Sequence, residues 1–304
     1  MQQSFNTIKK INFRVITILF FFITALNAQI PSDKLSAYYP FNGNAIDVSE
    51  HGNNAIYVSA SLTYDRFGKD SSAYFFNGND NYIDFGDILD DVFCKDTAQF
   101  TISGWAKTEV MGNIYGEGNV LIGKSAGGIG PYQWSVSHNS GMLFGCVFSD
   151  STVINFQEQY MYMGSGEWFH FVMIFDGKQT TDSRIRVFVN NASDMRLWLG
   201  LGTLGTTTKN TSLHLFAGGQ KHYQVLENRF NGYLDDIRIY DRVLTETEIN
   251  ALYHEGGWDT SNHVPIAKAG PDLTFFTDSL STATVTLDGS ESFDKDGDTL
   301  SYIW

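Results

Sequence analysis

The sequence predicts an all-β fold, a sandwich or a barrel of short antiparallel strands. Three features carry that expectation. Short apolar runs rich in aromatic and β-branched residues recur along the body of the chain. Several alternate with period two: in Arg184–Val189, Ile185 shares a face with Val187 and Val189. Turn dipeptides punctuate the runs, at Asn42-Gly43, Asn77-Gly78, Asp176-Gly177 and Asn231-Gly232. Composition agrees, with 15% aromatic residues, 29 Gly and only 5 Pro among 304 residues. At 42% hydrophobic and 18% charged the chain is globular, not disordered. No long helical pattern separates the runs, which excludes an α/β fold.

At the N-terminus Lys9, Lys10 and Arg14 precede an apolar stretch, Val15 to Leu26, broken only by two Thr, and Ala28 lies just before Gln29. The stretch is short for a membrane span and reads as a signal peptide over residues 1–28; the alternative is an uncleaved anchor. Strands are expected at Leu35–Phe41, Ala55–Val58, Ala73–Phe76, Tyr82–Phe85, Phe100–Lys107 and Val120–Lys124. Further strands are expected at Tyr132–Ser137, Met142–Phe148, Thr152–Phe156, Trp168–Phe175, Ile185–Asn190, Leu213–Ala217 and Tyr233–Tyr240. One helix is signalled by a capping box at Thr245 and Glu248, with Leu244 and Ile249 placed to staple across it. Ile249, Leu252 and Tyr253 give its apolar stripe, and Gly256-Gly257 ends it. A hydrophilic break from Trp258 to Val264 marks a domain boundary near residue 260, after which Pro265 opens a new segment with strand-like Ala283–Leu287.

The formal charge is −14, and loss of the three N-terminal cations takes the mature chain to about −17. Such a chain repels nucleic acid and anionic membranes and has carboxylates for hard cations. The two cysteines, Cys94 and Cys146, permit one disulfide in an exported protein. Cys146 lies in the apolar run Leu143–Phe148, where a free buried thiol is as ordinary a reading.

Several motifs in one order resemble a known family. They are Leu35–Asp47 with Tyr38-Tyr39-Pro40-Phe41-Asn42-Gly43, then Phe76-Asn77-Gly78 with Tyr82-Ile83, then Phe100–Trp105. Trp168-Phe169-His170 with Asp176-Gly177, Val187–Asn190, and Gly232–Tyr240 followed by the helix complete the series. Residues 33–256 thus resemble the laminin-G-like jelly rolls of the concanavalin A-like lectin/glucanase superfamily. The resemblance implies a two-sheet antiparallel jelly-roll sandwich with one short C-terminal helix. Beyond a linker at 257–264, residues 265–304 resemble the first part of a PKD-type immunoglobulin-like repeat, carried by Val285–Asp294, Asp296-Gly297-Asp298 and Leu300–Trp304. Some forty residues do not close such a sandwich, so a longer repeat, here truncated, is expected.

The resemblance also implies a structural calcium site where the first loop meets the last strand, with Asp47 and Asp235 as carboxylate ligands and the Gly52-Asn53 turn giving a carbonyl. Calcium takes six to eight oxygens from flexible loops. Asp and Asn also build turns there without any metal. Asp235 and Asp236 are adjacent on a strand and are expected to face opposite sides. Asp294–Asp298 reads as a turn before it reads as a second metal loop. Trp198, Tyr160 and Tyr162 lie in loop-like surroundings and are candidates to stack on a sugar, although Trp198 also suits a cover over a sheet edge. Trp105, Trp134 and Trp168 sit in alternating strands and read as core. His170 and His214 read as donors of buried hydrogen bonds, and no His pair has zinc spacing.

Catalysis finds no support in the motifs. The glucanase branch carries Glu-x-Asp-x-x-Glu on one strand, and no Glu here is followed two residues later by Asp. There is no Gly-x-Ser-x-Gly elbow and no phosphate-binding loop. The expected protein is a secreted or cell-surface binding or adhesion module, calcium-stabilised and non-catalytic, that recognises a glycan or an extracellular protein. Its alternative is a non-catalytic accessory region of a larger secreted carbohydrate-active enzyme or protease. A sandwich that itself hydrolyses polysaccharide is the third reading.

Overall fold

The computed structural model describes residues 29–109, 119–125, 132–139, 142–149, 154–160, 166–192, 196–198, 204–222 and 225–259, together with Gly289 and Ser292. The signal segment 1–28, Tyr162, and all of the segment from 260 onward except those two residues lie outside this set.

The first strands are β1 Leu35–Tyr39, β2 Tyr57–Val58, β3 Ser61–Thr63, β4 Ala73–Asn77 and β5 Ile83–Gly86. A single turn of helix, α1 Asp90–Phe93, leads to β6 Gln99–Thr108 and β7 Asn119–Ser125. Next come β8 Tyr132–Asn139, β9 Met142–Phe148, β10 Ile154–Tyr160, β11 Trp168–Asp176 and β12 Ile185–Val189. The chain continues through β13 Arg196–Trp198, β14 Leu215–Ala217, β15 Gln220–His222, β16 Val225–Glu227 and β17 Asn231–Tyr240. It closes with α2, Glu246–Tyr253.

Two antiparallel sheets result. One has seven strands in the order β12-β11-β6-β17-β4-β3, with β1 pairing the second half of β17. The other has eight, in the order β13-β10-β9-β8-β7-β14-β5-β2. The sheets face each other across one core. Phe100, Ile102, Phe171, Met173, Phe175, Ile237 and Ile239 point inward from the first, and Ile83, Phe85, Ile122, Trp134, Val136 and Val147 from the second. Alternation along each strand produces this, because successive side chains leave opposite faces. Gly145 faces this core, where a Cβ would lie 2.8 Å from Val187 and 2.9 Å from Met173.

A second, smaller core lies on the outer face of the seven-stranded sheet. There Val172, Ile174, Phe188 and Tyr240 receive Leu244, just before α2, and Ile249 and Leu252 from α2. The expected staple and stripe are therefore the residues that dock the helix. The capping box is formed as well: Glu248 N donates to Thr245 Oγ1 at 3.3 Å, and Thr245 N donates to Glu248 Oε2 at 2.8 Å. Arg242 grips the same carboxylate and, as its main cause, lowers the Glu248 carboxyl to about 2. Thr245→Ala should cost about 1 kcal/mol, read as a lower urea midpoint.

Trp105 is fully buried, as expected of a core residue, and lies under α2, stacked on Tyr253 at 5.8 Å and 14°. Two expectations are corrected. Trp168 is only half-buried, on the same outer face, with Lys107 Nζ 5.9 Å from its ring. Both tryptophan positions follow from β11 and β6 having two apolar faces, one for the sandwich and one for the helix. Tyr160 and Trp198 are in strands, not loops. Trp198 belongs to β13, the edge of the eight-stranded sheet, where it pairs with Phe156 of β10.

Candidate functional site

The eight-stranded sheet carries a continuous row of directly paired positions. Tyr57 pairs with Asp84, Asp84 with Phe216, and Phe216 with Gly123. Gly123 pairs with Ser135, Ser135 with Cys146, Cys146 with Phe156, and Phe156 with Trp198. Their neighbours Ile83, Leu215, Ala217, Trp134, Val136 and Val147 fill the core, so the part of this row from Tyr57 to Cys146 occupies the outer face. The row has small residues in its middle, and the Tyr57 end is built for contact. The rings of Tyr57 and Tyr82 lie 5.0 Å apart, and Tyr82 meets Phe216 edge-on at 6.0 Å. Tyr57 is 50% exposed.

Polar groups are fixed among these rings. His214 Nδ1 lies 2.9 and 3.1 Å from the two oxygens of Asp84, and its ring stacks on Phe216 at 5.9 Å. Gly86 N donates to Asp84 Oδ1 at 2.8 Å, fixing the carboxylate from below. Lys221 Nζ donates to Tyr82 Oη at 3.1 Å and sits 4.9 Å from that ring's centre. An aromatic pair with one exposed ring, a carboxylate, an imidazole and an ammonium thus share one patch. Rings of this kind cover apolar C–H faces while the flanking groups exchange hydrogen bonds with hydroxyls. The sequence signal was the alternation Tyr82-Ile83-Asp84-Phe85, which separates an outer pair from a core pair. Pairing with residues 57 and 216, far apart in the chain, was not readable.

Each of the expected metal ligands is engaged by protein donors. Asp47 and Asn53 do meet, but as a turn: Asp47 Oδ1 accepts from Tyr38 N at 2.9 Å and Ser49 N at 2.8 Å, and Oδ2 accepts from Asn53 N at 2.9 Å. Those three donors fill most of the carboxylate's acceptor directions. The Asn53 carbonyl accepts from Tyr39 Oη at 2.6 Å. Asp235 is engaged elsewhere, by the Arg66 guanidinium. Arg66 Nη1 donates to Asp235 Oδ2 at 2.8 Å and to Asp236 Oδ2 at 2.7 Å. The two aspartates therefore share a target and do not diverge. The register between β17 and β6 shifts between Asp235 and Arg238, and Asp236 has φ 49°, so a β-bulge resets the alternation there. Burial first, and then Asp236, push the Asp235 carboxyl upward against the pull of Arg66. Among the described residues no three His, Cys, Asp or Glu converge on a metal-sized point.

Cys94 and Cys146 are separate free thiols. Cys146 lies opposite Ser135 within the sheet, whereas Cys94 follows α1 and receives Gln133 Nε2 at 2.8 Å. The two side chains have different neighbours on different elements, and of the two readings the structure shows the free thiols. His170 and His138 are buried, the first pushed down to about 3 and the second to about 4, chiefly by burial. His170 Nδ1 and both His138 ring nitrogens have no hydrogen-bond partner.

Together these features define a two-sheet β-sandwich with a mixed aromatic and polar patch on the outer face of one sheet. The laminin-G family model described as the concanavalin A-like lectin/glucanases superfamily matches residues 77–250, more than half the chain, and the chain belongs to that superfamily. Among solved structures, the binding domain of Paraclostridial Mosquitocidal Protein 1 overlays with TM-score 0.53 at 18% identity, covering 73% of this chain and 52% of that one. The botulinum neurotoxin serotype D ligand binding domain in complex with N-acetylneuraminic acid overlays with TM-score 0.52 at 11% identity, covering 74% and 52%. This chain spans about half the length of those structures, and at such identities the likeness is one of fold alone. No curated protein matches the sequence.

Proposed function

We propose that the chain is a binding module that receives a glycan on the outer face of its eight-stranded sheet, around Tyr57, Tyr82, Asp84, His214 and Lys221. The observation that carries this is the half-exposed Tyr57 ring, packed on Tyr82 and set beside a carboxylate already oriented by His214 and Gly86 N. Preorganised polar groups next to a ring platform favour sugars, whose apolar faces alternate with hydroxyls. The neurotoxin domain whose structure contains N-acetylneuraminic acid shares the fold, which makes a sugar ligand a natural reading.

Non-catalytic action belongs to the same proposal. A retaining glycosidase needs two carboxyl groups about 5 Å apart. Asp84 is held by an imidazole and a backbone N–H, not by a second carboxylic acid. The proposal includes export after removal of residues 1–28, a binding domain over 33–256, and a PKD-like repeat beginning at 265 as spacer or as the start of a longer protein. An extracellular protein is the second ligand class that such a patch accommodates.

The test is a glycan panel probed with the purified protein, with product analysis for new reducing ends. Retention on one or more glycans without new reducing ends is expected. Release of reducing ends, or retention on no sugar at all, rejects the reading.

A further inference from the structure

The turn before β4 carries a guanidinium into the interior. Arg66 is buried to 2% side-chain exposure, with its carbon 4.6 Å from the ring centres of both Trp105 and Phe67. One of its nitrogens serves the carboxylates of Asp235 and Asp236 together. Around this pair the last strand, β1 and the segment after α2 are tied by the same charges. Tyr38 Oη donates to Asp236 Oδ1 at 2.6 Å, and Arg238 Nη2 donates to Glu255 Oε1 at 2.8 Å. Three carboxylates thus face two guanidinia, and Glu255 Oε2 is buried without a partner.

We propose that Arg66 is a built-in counter-cation that does here what a structural calcium ion would do, so that this junction holds without metal and becomes a cation site when the guanidinium is removed. Two oxygens already converge on Nη1 at 2.7 and 2.8 Å, only slightly longer than the 2.3–2.6 Å that calcium takes from carboxylates. Stacking on Trp105 and Phe67 explains why an arginine suits the place. A guanidinium is weakly hydrated and tolerates burial against rings, which a calcium ion does not. Without Arg66 the three carboxylates would face Arg238 alone, and buried charge left unpaired is strongly destabilising.

The test uses the full chain at mildly alkaline pH, melted in EDTA and in excess calcium chloride. The parent should melt at the same temperature in both. Arg66→Ala should melt about 10 °C lower in EDTA. Calcium should recover several degrees of that loss, and magnesium less, since magnesium demands a tighter octahedron. If Arg66→Ala does not fold, its refolding yield should rise when calcium is supplied. A parent that loses stability in EDTA overturns the proposal. So does an Arg66→Ala protein that melts with the parent, or one whose melting or refolding ignores calcium.

Discussion

Trp134→Ala should destabilise the protein by about 3–5 kcal/mol. Trp134 is fully buried between the sheets, with Phe93 meeting its ring at 5.0 Å and Phe100 at 6.2 Å. Its indole nitrogen has no hydrogen-bond partner, so the loss comes from buried area and the cavity left behind. Trp168→Ala is the matched control. Its ring is partly exposed beside Tyr233 at 6.0 Å, and its removal should cost less than half as much. Chemical denaturation of both variants reads the difference directly. Equal losses would return Trp168 to the core and contradict the assignment of faces.

Acid should expose the two buried imidazoles. His138 and His170 are each 1% exposed, and burial holds them neutral down to about 4 and about 3. In the unfolded chain an imidazole takes up its proton near 6.5. A basic group with a depressed folded value binds fewer protons in the native state, so stability falls as pH drops through this interval. For His138 the interval from about 6.5 to about 4 corresponds to roughly 3 kcal/mol. Replacing His138 with Leu, which cannot take up the proton, should flatten the acid limb by about that amount. Comparing variant with parent cancels the carboxylate titrations common to both. Superimposable pH profiles for the two proteins would show that His138 is not excluded from solvent as described.

The sequence was most legible where a signal is local. The Thr245–Glu248 box, the Leu244/Ile249 staple and the period-two runs each specify their element within a few residues, and the helix and most of the long strands formed as expected. It was least legible where one strand has two apolar faces or where a bulge intervenes. Trp105 and Trp168 alternate like core residues because the outer face of their sheet is itself buried by α2 along part of its length. Asp235 and Asp236 share Arg66 because a bulge interrupts the alternation that should have parted them. Short strands such as Ser61–Thr63 and Arg196–Trp198 exist through pairing with distant partners, which no local pattern encodes. The same is true of the ring cluster: residues 57, 82 and 216 become neighbours only once the eight-stranded sheet is assembled.

The ligand site is tested most directly by titrating the panel's strongest glycan into the full-length parent and into Tyr57→Ala and Tyr82→Ala, with far-UV circular dichroism confirming the fold of each. Each truncation should raise Kd roughly tenfold or more, the usual weight of a ring at the centre of a contact. Unchanged affinity in both folded variants would place the ligand elsewhere and contradict the account.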